Sequence, residues 1–481
     1  MNHQSIFLLD KHDRAELWQK LISAVEDYTN KVGAARVSPE LNPEKVRSLL
    51  RPFDFDRTMN PLEAVDFVVQ GLWQHQVHTS HPQYFGLFNP SPTVMGVAAD
   101  TLVAAFNPQL AGWAHNPFAA EIESHLVRAF GSRFGYEPSQ TDGTFASGGA
   151  EANHTAMLTA LVQAFPNFDS GGVRSLEAQP VFYVSQQSHH SFLKAARFCG
   201  LGTSAVREIP VNEDTQMEVE LLAAQITKDR HDGFAPFMVV ATAGTTSGGV
   251  LDPIGAIADV AAKEQLWLHV DAAWGGAARL VPELSSLFAG LERADSITID
   301  AHKWLAVPMG AGLYLTRHMD ILDRTCHIAT DYMPREGAGL DITDPYTHSM
   351  QWSRRFTGLK LFLSLAVAGW KGYISIVRHQ IAMGELLRDQ LKTSKWKIVN
   401  KTPLPVVCFV DQENPAGESA HYLEKIVQEV LCSGKAWIST TRLKQNLPVV
   451  RACITNYRTE AEDVLAFIDT LNAARQRVRR R

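Results

Sequence analysis

Hydrophobic residues recur along this chain at two different spacings, and the change from one spacing to the other divides the sequence. In residues 13–32 and 118–134 they follow the period of an amphipathic helix, and Pro61 opens another such pattern. From Pro180 onward, short apolar runs alternate with helix-like stretches, and we predict strands over residues 181–185, 237–243, 266–271, 296–300 and 312–316. This alternation predicts an α/β protein with a mostly parallel sheet covered by helices on both faces.

Beyond residue 395 the chain again places strand-like runs before a last helical pattern, and these runs cover residues 406–410, 436–441 and 449–455. We predict a small α+β unit there. A length of 481 residues is more than a single hydrophobic core usually serves. We therefore divide the chain into an N-terminal helical segment, a large domain and a small C-terminal α+β domain, over residues 1–85, 86–375 and 376–481.

Composition and charge argue against several classes of protein. Hydrophobic residues make up 45% and charged residues 20%, as in an ordinary globular chain, and the net charge of −6 gives no reason to expect a nucleic-acid partner. The five cysteines form no CxxC pair, so we expect no disulfide framework, no metal site and a reducing, cytoplasmic location. We find no signal-peptide pattern and no long uninterrupted apolar stretch, and we expect no membrane partner.

Lys303 lies in a turn between the strands predicted over residues 296–300 and 312–316. A lysine beside buried strands costs free energy to desolvate unless its amine is used, and a Schiff base with a carbonyl cofactor is a common use. The alternative is an ordinary surface lysine, whose apolar stem lies on the protein while its amine reaches water. Lys303 alone does not decide between these interpretations.

Asp271 and Ala273 favour the cofactor interpretation, because they stand at the end of the preceding predicted strand. Pyridoxal phosphate needs a lysine for its aldehyde, a carboxylate that keeps its ring nitrogen protonated, a wall for its ring and donors for its phosphate. Asp271 can supply the carboxylate, and Ala273 is small enough for a ring to lie against it. An aspartate at a strand end is often only a turn or cap residue. Its combination with a lysine after the next strand is much rarer.

Small residues before a helical pattern indicate where an anion could bind. Gly148 and Gly149 precede an apolar helical pattern over residues 155–165, so the backbone can approach a phosphate while the first N–H groups of the helix stay open. The spacing is neither a Walker loop nor a dinucleotide fingerprint, and two glycines before a helix can also form a simple turn. Residues 78–92 are rich in His, Pro and aromatic residues, which suits either a pocket lining or a connecting loop.

Five motifs in this order, SGGAEAN, SQQSHHS, TAGTTSGG, HVDAAWGG and DAHKWL, resemble those of the group II pyridoxal-phosphate-dependent amino-acid decarboxylases. The resemblance extends from about His81 to Arg451 and is strongest to the aromatic-L-amino-acid decarboxylase branch. It implies the aspartate-aminotransferase-like fold type I with a seven-stranded sheet, pyridoxal 5'-phosphate as cofactor, and a homodimer with active sites at the subunit interface. The implied reaction converts an L-amino acid to an amine and carbon dioxide.

The resemblance also implies roles for individual residues. Lys303 matches the lysine that bonds the cofactor aldehyde, and Asp271 matches the carboxylate that pairs with the ring nitrogen. His189 and Ala273 match the residues on the two faces of the ring, and Thr246 matches a threonine that contacts the cofactor. The positions near the cofactor phosphate are Gly148, Gly149, Ala150, Asp300 and His302.

Tyr332 matches a tyrosine on a loop that closes over the site and protonates the substrate carbon, and Tyr346 in the same irregular segment is the competing candidate. A tyrosine at this place favours amine formation over oxidation to an aldehyde. Phe88 and Asn89 match the substrate loop, in which Asn89 and Pro90 replace a Pro-Thr pair of the aromatic enzymes. This replacement concerns which amino acid is accepted more than which reaction is catalysed.

Two further departures from the family concern the cofactor phosphate. Ala150 stands where the family usually has serine, so one hydroxyl donor is lost. Asp300 stands where the aromatic enzymes have asparagine, and a carboxylate beside a phosphate must be protonated or point elsewhere.

We predict an aromatic substrate because residues 113–117 resemble the aromatic branch. The loop of residues 78–92 also offers no lysine or arginine for an acidic substrate, and it contains the apolar residues Tyr84, Phe85, Leu87 and Phe88. The alternative is an acidic amino acid: glutamate, aspartate or cysteine sulfinate. A further alternative is an aminotransferase or another lyase of the same fold, with Arg451 holding the substrate carboxylate. The rival from another class is a non-catalytic protein that kept the fold.

Overall fold

Seven strands form the central sheet of the computed structural model, which describes residues 7–330, 339–414 and 417–480. The strands of these ranges are β1 Gln109–Leu110, β2 Asp142–Ala146, β3 Pro180–Ser185, β4 Val206–Ile209, β5 Ala235–Thr242, β6 Trp267–Asp271, β7 Ser296–Asp300, β8 Gly312–Thr316, β9 Arg354–Arg355, β10 Trp396–Ile398, β11 Val406–Asp411, β12 Ser439–Arg442 and β13 Pro448–Cys453. The α-helices are α1 Lys11–Lys31, α2 Pro43–Leu50, α3 Pro61–His75, α4 Val94–Phe106, α5 Pro117–Phe134, α6 Gly149–Ala164, α7 Phe168–Gly171, α8 Ser191–Phe198, α9 Val219–His231, α10 Ile254–Glu264, α11 Ile321–Cys326, α12 Gly358–Thr393, α13 Ala420–Ser433 and α14 Ala461–Arg480.

The central sheet has the strand order β2-β8-β7-β6-β5-β3-β4. β8 runs antiparallel to β2 and β7, and the other neighbouring pairs are parallel. The predicted mostly parallel seven-stranded sheet is confirmed, and the strands predicted over residues 296–300 and 312–316 coincide with β7 and β8. The sequence analysis missed the two edge strands, β2 and β4, because they contain glycine or charged residues instead of a continuous apolar run.

Polar caps fix the starts of several helices. Asn60 accepts hydrogen bonds from two first-turn N–H groups of α3, whose first residue is Pro61, and Asn116 caps α5. α6 begins at Gly149, earlier than the predicted start at residue 155. The small residues of its first turn adopt helical backbone although they show no apolar periodicity, so the pattern alone placed the start too late.

α12 is a long helix that Gly369 interrupts with φ 63° and ψ 173°, a backbone that favours glycine. α12 begins at Gly358, directly after β9, which pairs with β1. The predicted domain boundary between residues 375 and 376 lies inside α12, which packs on α4 and α5 and also on β10 and α14. By length and composition alone α12 could cross a membrane, a test that core helices of soluble proteins also pass.

A second sheet of order β10-β11-β13-β12, antiparallel throughout, forms the C-terminal part together with α13 and α14. The small α+β unit predicted there is present, and β10 is a strand that the sequence analysis did not predict. One hydrophobic core is continuous from the central sheet into this unit. The C-terminal part is therefore held rigidly beside the central sheet, where residues of β13 can reach its loops.

Candidate active site

The carboxyl ends of four parallel strands bring the predicted site residues to one edge of the central sheet. β6 ends at Asp271 and β7 at Asp300, while His189 follows β3 and Thr246 follows β5. Neighbouring parallel strands end side by side, so residues that are distant in sequence share one crevice, the usual ligand site of such sheets. Lys303 lies in the turn after β7 and joins the same crevice.

Lys303 and Asp300 form an ion pair in that turn. The Lys303 Nζ lies 2.8 Å from Asp300 Oδ2, and the two side chains are 24% and 2% exposed. Asp300 Oδ1 has no hydrogen-bond partner within the described residues. His302 Nε2 lies 3.9 Å from Asp300 Oδ2, and burial lowers the pKa of this imidazole below its usual value. A lysine amine held by a buried carboxylate is not the ordinary surface lysine of the alternative interpretation.

Asp271 is buried, and each of its carboxylate oxygens accepts a hydrogen bond. Oδ1 accepts from the Ala273 N–H at 3.1 Å, and Oδ2 accepts from Asn153 Nδ2 at 2.9 Å. An ionised carboxylate has about four acceptor positions, so two remain for a further donor. The arrangement suits an acceptor for a protonated ring nitrogen.

Asn153 and His269 contribute to the site although the sequence analysis assigned them no role. Asn153 is 1% and His269 0% exposed, and His269 Nε2 lies 3.1 Å from Asn153 Oδ1. Two sequence signals could have found them. Asn153 follows Gly149 by four residues on α6, which places both on one helix face. His269 precedes Asp271 by two residues on β6, which places both on one face of the strand.

Gly149 occupies a position where no larger side chain fits. An added Cβ would lie 2.8 Å from Asp300 Oδ2 and 3.2 Å from the Ala273 Cβ. Gly149 also begins α6, whose open first N–H groups and dipole favour a negative charge. Gly148 precedes it in extended backbone, and Ala150 follows as an exposed residue. The residues present therefore fit a phosphate group at the start of α6, beside a ring lying near Ala273.

His189 stands over the crevice after β3. Its Nδ1 accepts the Ser191 N–H at 3.2 Å, so the proton of the neutral ring lies on Nε2. His189 is an exposed residue, yet desolvation by the surrounding protein lowers its pKa. The negative charge of Asp271 opposes this lowering of the pKa, and the positive charge of Lys303 adds to it. A neutral imidazole in this place can stack on an aromatic ring.

Arg451 reaches the crevice from β13 and joins two of its loops. Its Nε donates to the Thr246 carbonyl at 3.0 Å and its Nη1 to the Gly86 carbonyl at 2.8 Å. Its Cζ lies 4.8 Å from the ring centroid of Phe88, which stacks on Trp274 at 4.4 Å and 14°. Arg451 is 2% exposed, and its Nη2 has no hydrogen-bond partner in the described part of the chain. The absence of a cation within the loop sequence is therefore offset by an arginine from a distant strand.

The predicted substrate loop does not turn all its apolar residues towards the crevice. Tyr84 packs on Trp437 and Phe85 on Phe467, so both rings belong to the contact with the C-terminal unit. Asn89 Nδ2 lies 3.0 Å from the sulfur of Met309. Of the apolar residues that predicted an aromatic substrate, Tyr84 and Phe85 therefore do not support that prediction.

Tyr332 lies outside the described residues, whereas Tyr346 is described and is 7% exposed. The Tyr346 N–H donates to the Ala111 carbonyl at 3.0 Å, and its ring lies 4.9 Å from that of Trp352. Both the backbone and the ring of Tyr346 thus contact the rest of the protein.

Comparisons with known proteins agree with this geometry. The family model described as the pyridoxal-dependent decarboxylase conserved domain matches residues 43–411. The chain is 30% identical to the aromatic-L-amino-acid decarboxylase of Bacillus atrophaeus over 98% of this chain and 97% of that protein. It is 31% identical to the cysteine sulfinic acid decarboxylase of Mus musculus over 70% and 68% of the two chains. The crystal structure of mouse CSAD matches with a TM-score of 0.90 and 25% identity, over 97% and 99% of the two chains.

Proposed function

The chain belongs to the pyridoxal-dependent decarboxylases, and on this premise we propose that its substrate is an aromatic L-amino acid. It is a pyridoxal-phosphate-dependent amino-acid decarboxylase of fold type I. The family assignment leaves the aminotransferase and the non-catalytic protein without support. When bound, the cofactor supplies an electron sink that accepts the electrons of the bond to the departing carboxylate.

The residues of the crevice would hold the cofactor at four places. Lys303 would bond the aldehyde, and Asp271 would accept a hydrogen bond from the protonated ring nitrogen. His189 and Ala273 would lie on the two faces of the ring, and the start of α6 at Gly149 would take the phosphate, with Gly148, Ala150, Thr246 and His302 close by. The support for this placement is that Gly149 has no room for a Cβ beside Asp300 and Ala273.

The Phe88–Trp274 stack is the observation on which the aromatic substrate rests. Phe88 is 5% exposed and lies flat against Trp274 beside the residues that follow β6. The two rings themselves would offer apolar contact to an aromatic side chain and no charge to a carboxylate. The 30% identity to an aromatic enzyme along nearly the whole chain adds support. Asn89 would contact the substrate from the same loop.

Arg451 favours the second candidate, an acidic amino acid. Its Nη2 is buried without a partner in the described part of the chain, and an unused buried donor on a cation is costly. Its other two contacts are to backbone carbonyls, which neutralise no charge. A carboxylate on the substrate side chain would satisfy this cation.

A carbon dioxide assay across amino acids tests the substrate. We expect release from phenylalanine, tyrosine or tryptophan, with glutamate, aspartate and cysteine sulfinate turned over at most slowly. The Phe88→Leu variant should weaken the aromatic activity and leave cofactor loading unchanged, because the ring of Phe88 contacts Trp274 and Arg451, neither of which is a predicted cofactor residue. A preference for the three acidic amino acids would overturn the aromatic proposal and assign Arg451 to the substrate carboxylate.

We also propose that two copies of the chain associate. α1, α3 and the start of α4 line a cavity of about 850 Å³, and four of the side chains that line it are exposed and apolar: Val25, Val68, Leu72 and Val94. Exposed apolar surface of this extent indicates an interface. Light scattering should give a dimer for the parent chain and a monomer for Val68→Glu/Leu72→Glu. Leu465→Glu, which changes a 45% exposed leucine on α14, is the control.

A further inference from the structure

Behind Asp271, buried side chains form a hydrogen-bonded chain that begins at Trp267. Trp267 Nε1 can only donate, and it donates to Ser296 Oγ at 2.9 Å. Ser296 Oγ in turn lies 2.8 Å from His269 Nδ1. A serine hydroxyl has one proton, and its oxygen already accepts from Trp267, so that proton is available for His269.

The chain continues from His269 through Asn153 to the carboxylate. His269 Nε2 lies 3.1 Å from Asn153 Oδ1, and Asn153 Nδ2 lies 2.9 Å from Asp271 Oδ2. An ionised carboxylate only accepts, so the amide must turn its Nδ2 towards Asp271 and its oxygen towards His269. That oxygen needs a donor, which places the imidazole proton on Nε2 and leaves Nδ1 to accept from Ser296.

Trp267, Ser296, His269 and Asn153 therefore each donate one hydrogen bond in the same direction, from Trp267 towards Asp271. The second proton of Asn153 Nδ2 is also used, because Nδ2 lies 3.0 Å from Ser191 Oγ. Burial lowers the pKa of His269 to about 4, so the neutral ring that this direction requires is the form present at ordinary pH. This hydrogen-bonded relay has no exposed member, since its five residues are at most 6% exposed: Trp267, Ser296, His269, Asn153 and Asp271.

We propose that Asn153 and His269 are positioning residues that hold the Asp271 carboxylate in the orientation needed to keep the cofactor ring nitrogen protonated. This proposal rests on the role proposed above for Asp271. The Ala273 N–H holds only Oδ1. It belongs to the same turn as Asp271, so it cannot fix the position of the carboxylate relative to another helix or strand. Asn153 lies on α6 and ties the carboxylate to the helix that also carries Gly149.

The test is the nitrogen chemical shift of ring-labelled pyridoxal phosphate in the holoenzyme, followed against pH. We expect the ring nitrogen of the parent enzyme to stay protonated across the stable pH range. In Asn153→Ala it should lose its proton within that range, and kcat should fall roughly 10- to 100-fold with little change in KM. Tyr136→Phe removes an equally buried hydrogen bond, to the Ala294 carbonyl at 2.9 Å, and should leave both measurements unchanged.

A second pair of variants covers the case in which Asn153→Ala does not fold. In His269→Leu the ring nitrogen should lose its proton within the stable pH range, as predicted for Asn153→Ala. In His269→Gln the ring nitrogen should stay protonated over more of that range, because the glutamine amide can still donate to Asn153 Oδ1. The double variant Asn153→Ala/Asp271→Asn should be no worse than Asp271→Asn alone. The relay is wrong if Asp271→Asn changes the nitrogen shift while the folded His269 and Asn153 variants keep the parent titration. If Asp271→Asn itself leaves the shift unchanged, the role of Asp271 is wrong, and the relay proposal is overturned with it.

Discussion

The amine of Lys303 lies 2.8 Å from the buried carboxylate of Asp300, three residues earlier in the same turn. This contact explains how a carboxylate is tolerated where the aromatic branch of the family has asparagine. Asp300 Oδ2 contacts the lysine and also lies beside Gly149, where an added Cβ would come within 2.8 Å of it. The carboxylate therefore faces both the lysine and the start of α6, close to the proposed phosphate position.

Lys303→Ala should abolish turnover and the visible absorbance of the cofactor bound through lysine. The reason is that Lys303, which lies beside Asp300 in the crevice, is the residue proposed to bond the cofactor aldehyde. Borohydride reduction followed by peptide mapping checks the assignment. A reducible lysine adduct that persists in this variant would show that another lysine bonds the cofactor.

The same variant should lower the stability of the protein without cofactor by about 2–3 kcal/mol, because it leaves Asp300 buried and without its partner. Asp300→Asn in addition should recover part of that loss while turnover stays absent. Chemical denaturation of the parent, single and double variants measures both steps. Equal stability of the single and double variants would mean that the unpartnered Asp300 carboxylate does not lower the stability.

Asp271→Asn should retain the cofactor and lose roughly 100-fold or more in kcat. An amide can fill the same space beside Ala273 and Asn153, but it cannot keep a ring nitrogen protonated. The measurements are cofactor content after gel filtration and carbon dioxide release under saturating substrate. A near-normal rate in the loaded variant would contradict the role of Asp271.

The sequence predicted much of this fold because the central strands are buried on both faces and read as continuous apolar runs. It placed Lys303, Asp271 and His189 at strand ends, and the structure brings those ends together. It could not predict Arg451 beside Phe88, because that contact depends on how the C-terminal unit packs against the large domain.

The relay behind Asp271 was missed for a different reason. Asn153 and His269 lie on different elements, and a buried polar residue shows its purpose only when its partner is known. Tyr84 and Phe85 show the converse error, since apolar loop residues were assigned to a pocket and pack instead on Trp437 and Phe467.

Tyr332→Phe should shift the product from amine towards aldehyde, because the phenol is proposed to protonate the substrate carbon, and without it that carbon is open to dioxygen. Tyr346→Phe is the matched control. Tyr346 is 7% exposed and packs on Trp352, so we expect its variant to keep the parent product ratio. The measurement is the ratio of amine to peroxide formed under air. A changed ratio in Tyr346→Phe with a parent-like ratio in Tyr332→Phe would exchange the two assignments.

Two buried histidines, His81 and His269, should make the fold sensitive to acid. Burial lowers the pKa of each to about 4, while an unfolded histidine titrates near 6.5. Below pH 6.5 the unfolded chain therefore binds more protons than the folded chain, and stability falls as the pH falls towards 4. At pH 5 the loss relative to pH 7 is about 2 kcal/mol for each histidine.

His81→Asn isolates one of these contributions. His81 Nδ1 accepts the Gln83 N–H at 3.0 Å, and the asparagine oxygen can take over that bond without titrating. The fall in the free energy of unfolding between pH 7 and pH 5, measured by urea denaturation, should therefore be about 2 kcal/mol smaller in His81→Asn than in the parent. His12→Asn is the control, since water surrounds this 87% exposed side chain in both the folded and the unfolded chain. An unchanged pH dependence in His81→Asn would mean that His81 is charged, or reaches water, in the folded protein.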